Sequence, residues 1–179
     1  AELLYNACIH QQAKRKRCLE RPAMISSDDL RKAMAKFATG VTVIGSLETN
    51  GTLHGMTANT LTSVSLEPPM VLVCIARSNV SYSNIVQRGR FGISVLKAQQ
   101  EGTAQYYARD RWARVGDVAV EWQLKEGGSP RIKDSLMFLE CRVVARHDHG
   151  DHGIFVAEVE EIATEHGRPL IFYDSQFRA

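Results

Sequence analysis

The chain is 179 residues long, 44% hydrophobic and 23% charged, with a net charge of +2. That is one ordinary globular domain's worth of sequence, apolar enough for a sizeable core, with too little charge to point to nucleic acid or an anionic membrane as the partner. No run approaches the roughly 18 apolar residues of a membrane-spanning helix. The four cysteines, Cys8, Cys18, Cys74 and Cys141, lack C-x-x-C or finger spacing and read as reduced thiols of a cytoplasmic protein.

Residues 1–23 stand apart. Lys14-Arg15-Lys16-Arg17 makes them basic, and they lack the apolar stretch of roughly 7 to 15 residues that a secretory signal needs. The segment reads as a peripheral extension, and the domain proper as residues 24–179. Ser26 or Ser27 can cap a helix whose first turn carries Asp28 and Asp29, at the positive end of the dipole. Leu30, Ala33, Met34 and Phe37 recur at helical spacing, which predicts one core-packed face, and Gly40 is the stop signal. Val41-Thr42-Val43-Ile44 opens a strand, Thr49-Asn50-Gly51 is a hairpin turn, and a second strand returns through His54 to Ala58. Met70 to Ile75 is nearly continuous apolar sequence, which predicts a strand buried on both faces.

Further along, Ser81 is placed to cap a short helix running to Gln87 with Gly89 at its end, followed by a strand from Phe91 to Leu96. Gln99 to Asp110 reads as helical, and Val115 to Arg131 as mixed, with Gly127-Gly128-Ser129-Pro130 a loop. Leu136 to Arg146, Ile154 to Ile162 and Leu170 to Tyr173 are strands, separated by a His/Asp/Gly turn and a Gly167-Arg168-Pro169 turn. Many strands with short turns and few helices argue for a mainly β fold closing into a barrel. No strand, glycine-rich turn and helix unit of the dinucleotide-fold type is present, so a nicotinamide has to bind without such a crevice.

Three segments carry chemistry. Residues 54–69, His54-Gly55-Met56-Thr57-Ala58-Asn59-Thr60-Leu61-Thr62-Ser63-Val64-Ser65-Leu66-Glu67-Pro68-Pro69, concentrate short hydrogen-bonding side chains between apolar runs. This composition fits a cradle for a flat heterocycle with a polar tail, and equally a hydroxyl-rich strand and loop with no ligand. Cys74-Ile75-Ala76-Arg77-Ser78-Asn79-Val80-Ser81 leaves an apolar strand and enters a helix N-terminus, where free N–H groups, hydroxyls and Arg77 suit an anion. Arg90 is either a second cation for that anion or a solvated surface residue. His147-Asp148-His149-Gly150-Asp151-His152 gathers imidazoles and carboxylates, but its glycines mark a loop and no distant ligand pair supports a metal, so none is assigned.

Lys36-Phe37-Ala38-Thr39-Gly40-Val41-Thr42-Val43-Ile44, then His54 to Thr60, then Ser63 to Val73 resemble the flavin reductase family in order and content. Gly89 to Leu96, Leu139 to Val143, Gly150 to Val159 and Pro169 to Tyr173 continue the resemblance across about residues 28 to 178. These are the small NAD(P)H-dependent components of two-component flavin monooxygenases, built on the FMN-binding split barrel. The resemblance implies a split β-barrel with peripheral α-helices. It further implies FMN or FAD as flavin, NADH or NADPH as hydride donor, a separate monooxygenase as partner, and a homodimer. A flavin-binding electron carrier on the same barrel is the alternative.

Carried over position by position, the resemblance implies that Thr57, Ala58, Asn59 and Thr60 hold the flavin ring and ribityl chain, largely through backbone groups, with Ser63 and Ser65 extending the surface. Cys74, Ile75, Ala76, Arg77, Asn79 and Ser81 are implied to hold the phosphate side, with Arg90 and Phe91 near them. Gly150, Asp151 and His152 are similar to the family's Gly-Asp-His motif, in which the histidine lies beside the flavin and the nicotinamide and orients the donor or steadies charge on reduced flavin. Phe155 and Tyr173 are placed as neighbours of the ring or as core residues.

Overall fold

A computed structural model describes residues 24–114 and 120–179. The basic segment with Cys8 and Cys18, and the beginning of the stretch from Val115, lie outside the described residues. The chain divides into two units, residues 1–36 and 37–179. In the first, helix α1 spans Ser27–Met34. Its start is the expected one: the Ser26 hydroxyl accepts the Asp29 N–H at 3.1 Å, and the Asp29 carboxylate accepts the Ser26 N–H at 3.4 Å. The expected core face is corrected, because Leu30, Met34 and Phe37 are all more than half exposed. Two helical turns end at Met34, so Phe37 never completes the stripe, and Gly40 is a strand residue, not a helix stop.

The second unit begins with β1 (Thr39–Gly40), β2 (Thr42–Leu47), β3 (Leu53–Ala58), β4 (Thr62–Leu66) and β5 (Pro69–Ala76). Helix α2 (Val80–Arg88), β6 (Arg90–Val95) and helix α3 (Glu101–Ala108) follow. The remainder is β7 (Trp122–Gln123), β8 (Arg131–Ile132), β9 (Met137–His149), β10 (His152–Thr164), β11 (Ile171–Tyr173) and β12 (Gln176–Arg178). The cap of α2 is Asn79, whose side chain accepts the Ser81 N–H at 2.9 Å, rather than Ser81 itself. Gly89 closes that helix in the left-handed region at φ 67°, as the sequence predicts.

Seven strands form one antiparallel sheet in the order β3-β2-β6-β9-β10-β5-β4. It curls around a core that includes Ile44, Val73, Ile75, Phe91, Ile93 and Phe155. Register shifts in β10 at Val156/Ala157 and Val159/Glu161 supply the bending that two 13-residue strands need to follow such a curve. The edges of the sheet, β3 and β4, are consecutive in the chain and are not paired with each other. The barrel is therefore split, and residues 59–61 bridge the split.

Strand β5 corrects the expectation of burial on both faces. Val71, Val73 and Ile75 point into the core, whereas Met70, Leu72 and Cys74 alternate with them and are half-buried. A second core lies on the other face of β2, where Val41, Val43, Leu96, Ala104, Ile132 and Leu170 meet. β1, β11 and β12 form a small separate sheet.

A row of glycines crosses three strands here, with Gly45 opposite Gly55 on β3 and opposite Gly92 on β6. The row lets the Trp122 ring and the Pro130 carbonyl lie directly on the sheet. A Cβ at Gly45 would fall onto the Pro130 oxygen, and one at Gly55 would come within 2.9 Å of both Trp122 and Tyr107. Gly45→Ala is expected to cost about 1–3 kcal/mol, the usual range for overpacking, read as a fall in urea midpoint at unchanged slope. An unchanged midpoint would mean that Pro130 yields freely.

Candidate active site

The bridge across the split is held by one side chain. The Thr60 hydroxyl donates to the Cys74 carbonyl and accepts the Cys74 N–H, both at 3.0 Å. Thr62 pairs with Leu72 in the β4–β5 ladder, so Thr60 stands where the next ladder pair would fall and supplies its two bonds from a side chain. Thr57 is fixed in turn by donating its hydroxyl to the Ala104 carbonyl of α3 at 2.7 Å, and Thr42 donates to the Ala58 carbonyl at 2.8 Å. Among the described residues the side-chain amide of Asn59 has no partner, and neither do the main-chain N–H groups of Asn59 and Thr60. These are donors presented at the edge of the split. Beside them is a cavity of about 160 Å³ lined by Val41, Thr57, Ala58, Asn59, Ala108, Phe172 and Phe177. The Phe172 and Phe177 rings meet at 5.3 Å.

The Gly150–His152 turn comes to the same end of β5. His152 pairs with Ala76 on β5 and with His149 on β9. Arg77 ties the turn down, because its N–H donates to the Asp151 carbonyl at 2.9 Å and its guanidinium to the Gly150 carbonyl at 2.6 Å. The His152 ring, half exposed, meets the Asp151 carboxylate through Nδ1 at 2.7 Å. That hydrogen bond holds the Asp151 carboxyl below its ordinary range. Burial raises the Cys74 thiol above its ordinary range, so it stays a neutral thiol beside Thr60.

Thr57, Ala58, Asn59, Thr60, Cys74, Ala76, Arg77, Asn79, Gly150, Asp151 and His152 thus gather along one edge, from the split to the start of α2. The other expected positions do not join them through their side chains. Ile75, Phe91 and Phe155 are at most 1% exposed inside the barrel. Ser81 is fully buried in the first turn of α2. Arg90 is bound to Glu140 and Glu160. It starts β6, five residues from Val95, which shares a register row with Thr42 and Ala58. At the strand rise that is roughly 17 Å away. Ser63 is paired opposite Val71 far down β5, and Ser65 caps the turn into Glu67 at 3.2 Å. Tyr173 alternates with Phe172 on β11, and Phe172 is the residue that lines the cavity. Arg77 is spent on the Gly150 turn and does not line the pocket at the start of α2.

Of the residues that do line that pocket, Thr57 and Asn79 are among the expected positions, and the arginines after α3 are not. The pocket has a volume of about 230 Å³, and His54, Ser78, Asn79, Arg109, Arg111 and Arg114 are on its walls. His54 is 5% exposed, and its Nε2 has no hydrogen-bond partner. The signal was present as three arginines in the six residues after α3, Arg109-Asp110-Arg111-Trp112-Ala113-Arg114. Among the described residues no group of three or more His, Cys, Asp or Glu is placed to hold a metal ion, and no helix is long and apolar enough to cross a membrane.

The fold and site define a split antiparallel barrel with a polar rim at the split. Residues 34–179 match the family model described as flavin reductase like domain, and the chain belongs to that family. It is 40% identical over 153 residues to an NADH-dependent flavin reductase of Rhodococcus sp, covering 84% of each chain. Among solved structures it is similar to flavin reductase PheA2 in its native state, with TM-score 0.78 and 37% identity over 86% of this chain and 97% of that one. It is also similar to the styrene monooxygenase flavin reductase of Pseudomonas putida S12, with TM-score 0.76 and 31% identity over 84% and 95%.

Burial, and after it the Arg114 charge, lowers the pKa of His54. Its neutral form is favoured by the fold. The associated stability is complete above the ordinary histidine value of about 6.5 and is lost as the pH falls through the depressed native value. His54→Gln is expected to reduce the drop in urea midpoint between pH 7.5 and pH 5 (about one unit either side of that value). An equal drop in both proteins would show that His54 does not titrate with unfolding.

Proposed function

We propose that this chain is an NAD(P)H:flavin oxidoreductase. It takes FMN or FAD, reduces it with NADH or NADPH, and releases reduced flavin to a separate monooxygenase. The observation that carries the reading is the set of unpaired donors on Asn59 and Thr60, held rigidly beside an apolar cavity on a chain of this family. A flavin has the matching chemistry, an apolar ring edge and a pyrimidine edge rich in acceptors, so the residues present fit the group. When bound, the nicotinamide supplies a hydride and the flavin ring accepts it.

The protein's own contribution is binding, orientation and charge. Asn59 and the adjoining N–H groups would hold the pyrimidine edge of a bound flavin, and they would need no rearrangement to do so because Thr57 and Thr60 already fix the backbone. Asp151 orients the His152 ring through Nδ1 and leaves Nε2 for the donor or for charge on the reduced ring. No protein nucleophile is required. The assay is loss of nicotinamide absorbance on adding free flavin. Many turnovers per protein molecule are expected, whereas a single stoichiometric reduction would mark an electron carrier instead.

His152→Ala is expected to slow flavin reduction about 10 to 1000-fold, the usual cost of one positioning or charge-stabilising group, while flavin affinity changes little. Stopped flow at saturating NADH measures this, and a wild-type rate removes His152 from the reaction. Asn59→Asp is expected to raise the flavin KM, since a carboxylate repels the electron-rich edge.

The reading includes a homodimer. Leu72 and Cys74 of β5 stand opposite Val156 and Ile154 of β10, and this half-buried apolar stripe on the outer sheet face suits a two-fold contact. Sedimentation is expected to give twice the chain mass at micromolar concentration, and a stable monomer contradicts the dimer.

A further inference from the structure

The backbone on either side of His152 is held by the segment that leads into and opens α2. On the N-terminal side Arg77 pins Gly150 and Asp151 through their carbonyl oxygens. On the C-terminal side Tyr82, in the first turn of α2, reaches both arms of the β9–β10 hairpin. Its hydroxyl donates to the Asp148 carboxylate of β9 at 2.9 Å. Its ring lies on Gly153 of β10, the residue that pairs with Asp148 across the ladder. A Cβ at Gly153 would come within 2.5 Å of Tyr82 Cε2, so only a glycine lets the ring rest on the backbone next to His152.

The surroundings fix the ring in that place. Phe155, two residues along the same face of β10, meets it edge-on at 5.4 Å. The Arg146 guanidinium lies 5.9 Å from its centre and 3.6 Å from the second Asp148 oxygen. Partial burial, and after it the bond to Asp148, raises the Tyr82 hydroxyl above its ordinary range, so it stays protonated and donates. Tyr82 packs against the barrel core but is on the wall of neither cavity at the site. Any effect it has on chemistry there passes through the hairpin.

The His152 ring has little else to direct it. It is half exposed, and among the described residues its one side-chain partner is the exposed carboxylate of its own neighbour, Asp151. A ring tethered in this way takes its direction from the backbone of residues 151–153. We propose that Tyr82 is a positioning residue for flavin reduction, and that by clamping Gly153 and Asp148 it fixes the backbone from which His152 is aimed. The proposal rests on the flavin reductase reading and on the part given there to His152. A misplacement of about 1 Å in such a group costs up to roughly 100-fold in rate, which sets the scale of the effect.

Tyr82→Phe keeps the ring on Gly153 and removes the hydroxyl. Stopped flow at saturating NADH is expected to show flavin reduction slowed about 5 to 20-fold, with flavin affinity unchanged. Asp148→Ala is expected to match it, and Asp148→Asn, which keeps an acceptor for the hydroxyl, to lose less. Should Tyr82→Phe fail to fold, the two Asp148 variants decide, because that side chain is exposed on β9. The loss is expected to vanish when Tyr82→Phe is made in the His152→Ala protein, since the clamp acts through a ring that is already gone. An equal loss in both backgrounds, or a wild-type rate in Tyr82→Phe or in His152→Ala, overturns the proposal. Hydrogen exchange reads the clamp without activity. The amides of residues 149–153 are expected to exchange about 5 to 10-fold faster in Tyr82→Phe, the scale of one lost hydrogen bond to a charged group, with those of β2 and β6 unmoved. Unchanged exchange in the turn also overturns the proposal. Faster exchange there, in a protein that reduces no flavin, leaves the clamp standing and removes the reductase reading.

Discussion

The interaction on which the site depends is the doubled hydrogen bond between the Thr60 side chain and the Cys74 backbone. The edge strands β3 and β4 are consecutive in sequence and unpaired: residues 59–61, enough for a hairpin, instead carry the chain across the split. An open edge with free N–H groups is ordinarily a liability. Here a hydroxyl takes over the ladder position, so the backbone is held as firmly as a strand while its own donors stay unspent. One side chain thereby gives the segment both rigidity and unsatisfied hydrogen-bonding capacity, the combination that preorganised recognition of a polar ring edge requires.

The same economy governs the neighbouring turn. Arg77 looks like an anion ligand by its place in the sequence, yet its guanidinium and N–H both go to the Gly150–Asp151 backbone. That use fixes where β10 begins and so fixes His152 relative to β5. Other arginines lie on the far side, in a turn after α3 that packs on β3 through Arg114 and Gly55. Thr57 stands between the two regions, its hydroxyl held by α3 and its wall position shared by the apolar cavity and the cationic pocket.

Much of this was legible in the sequence. The cap at Ser26, one of two serines the sequence offers, the Asn50-Gly51 and Gly150 turns and the glycine at the end of α2 are local signals, and they appear where expected. The strand order is not local: the resemblance implied a split barrel, and the order itself is seen only in the structure. The misses have physical causes. Apolar residues in succession from Met70 to Ile75 conceal an ordinary two-faced strand whose outer face is only half covered. The choice between Phe172 and Tyr173 depends on register with β1, which pairs Phe172 with Thr39 across most of the chain. Arg77 was read from its place at a helix N-terminus and Arg90 as a second cation near it, but partners distant in sequence, Gly150 and Glu160, claim their guanidinium groups. The arginines after α3 were passed over because a helix end rich in cations reads as a solvated surface.

The glycine row across β3, β2 and β6 has a consequence for pairing as well as for packing. A strand register is normally enforced by which side chains reach the core, and a slip of two residues preserves that pattern because the side-chain period is two. Such a slip goes unpunished by burial. In this sheet a two-residue slip of β2 would carry Val43 or Leu47 beneath the Pro130 carbonyl in place of Gly45. The row therefore acts as a keyway that discriminates between alignments which hydrophobic patterning leaves degenerate, and it fixes to the residue how far Ala58 projects toward the split.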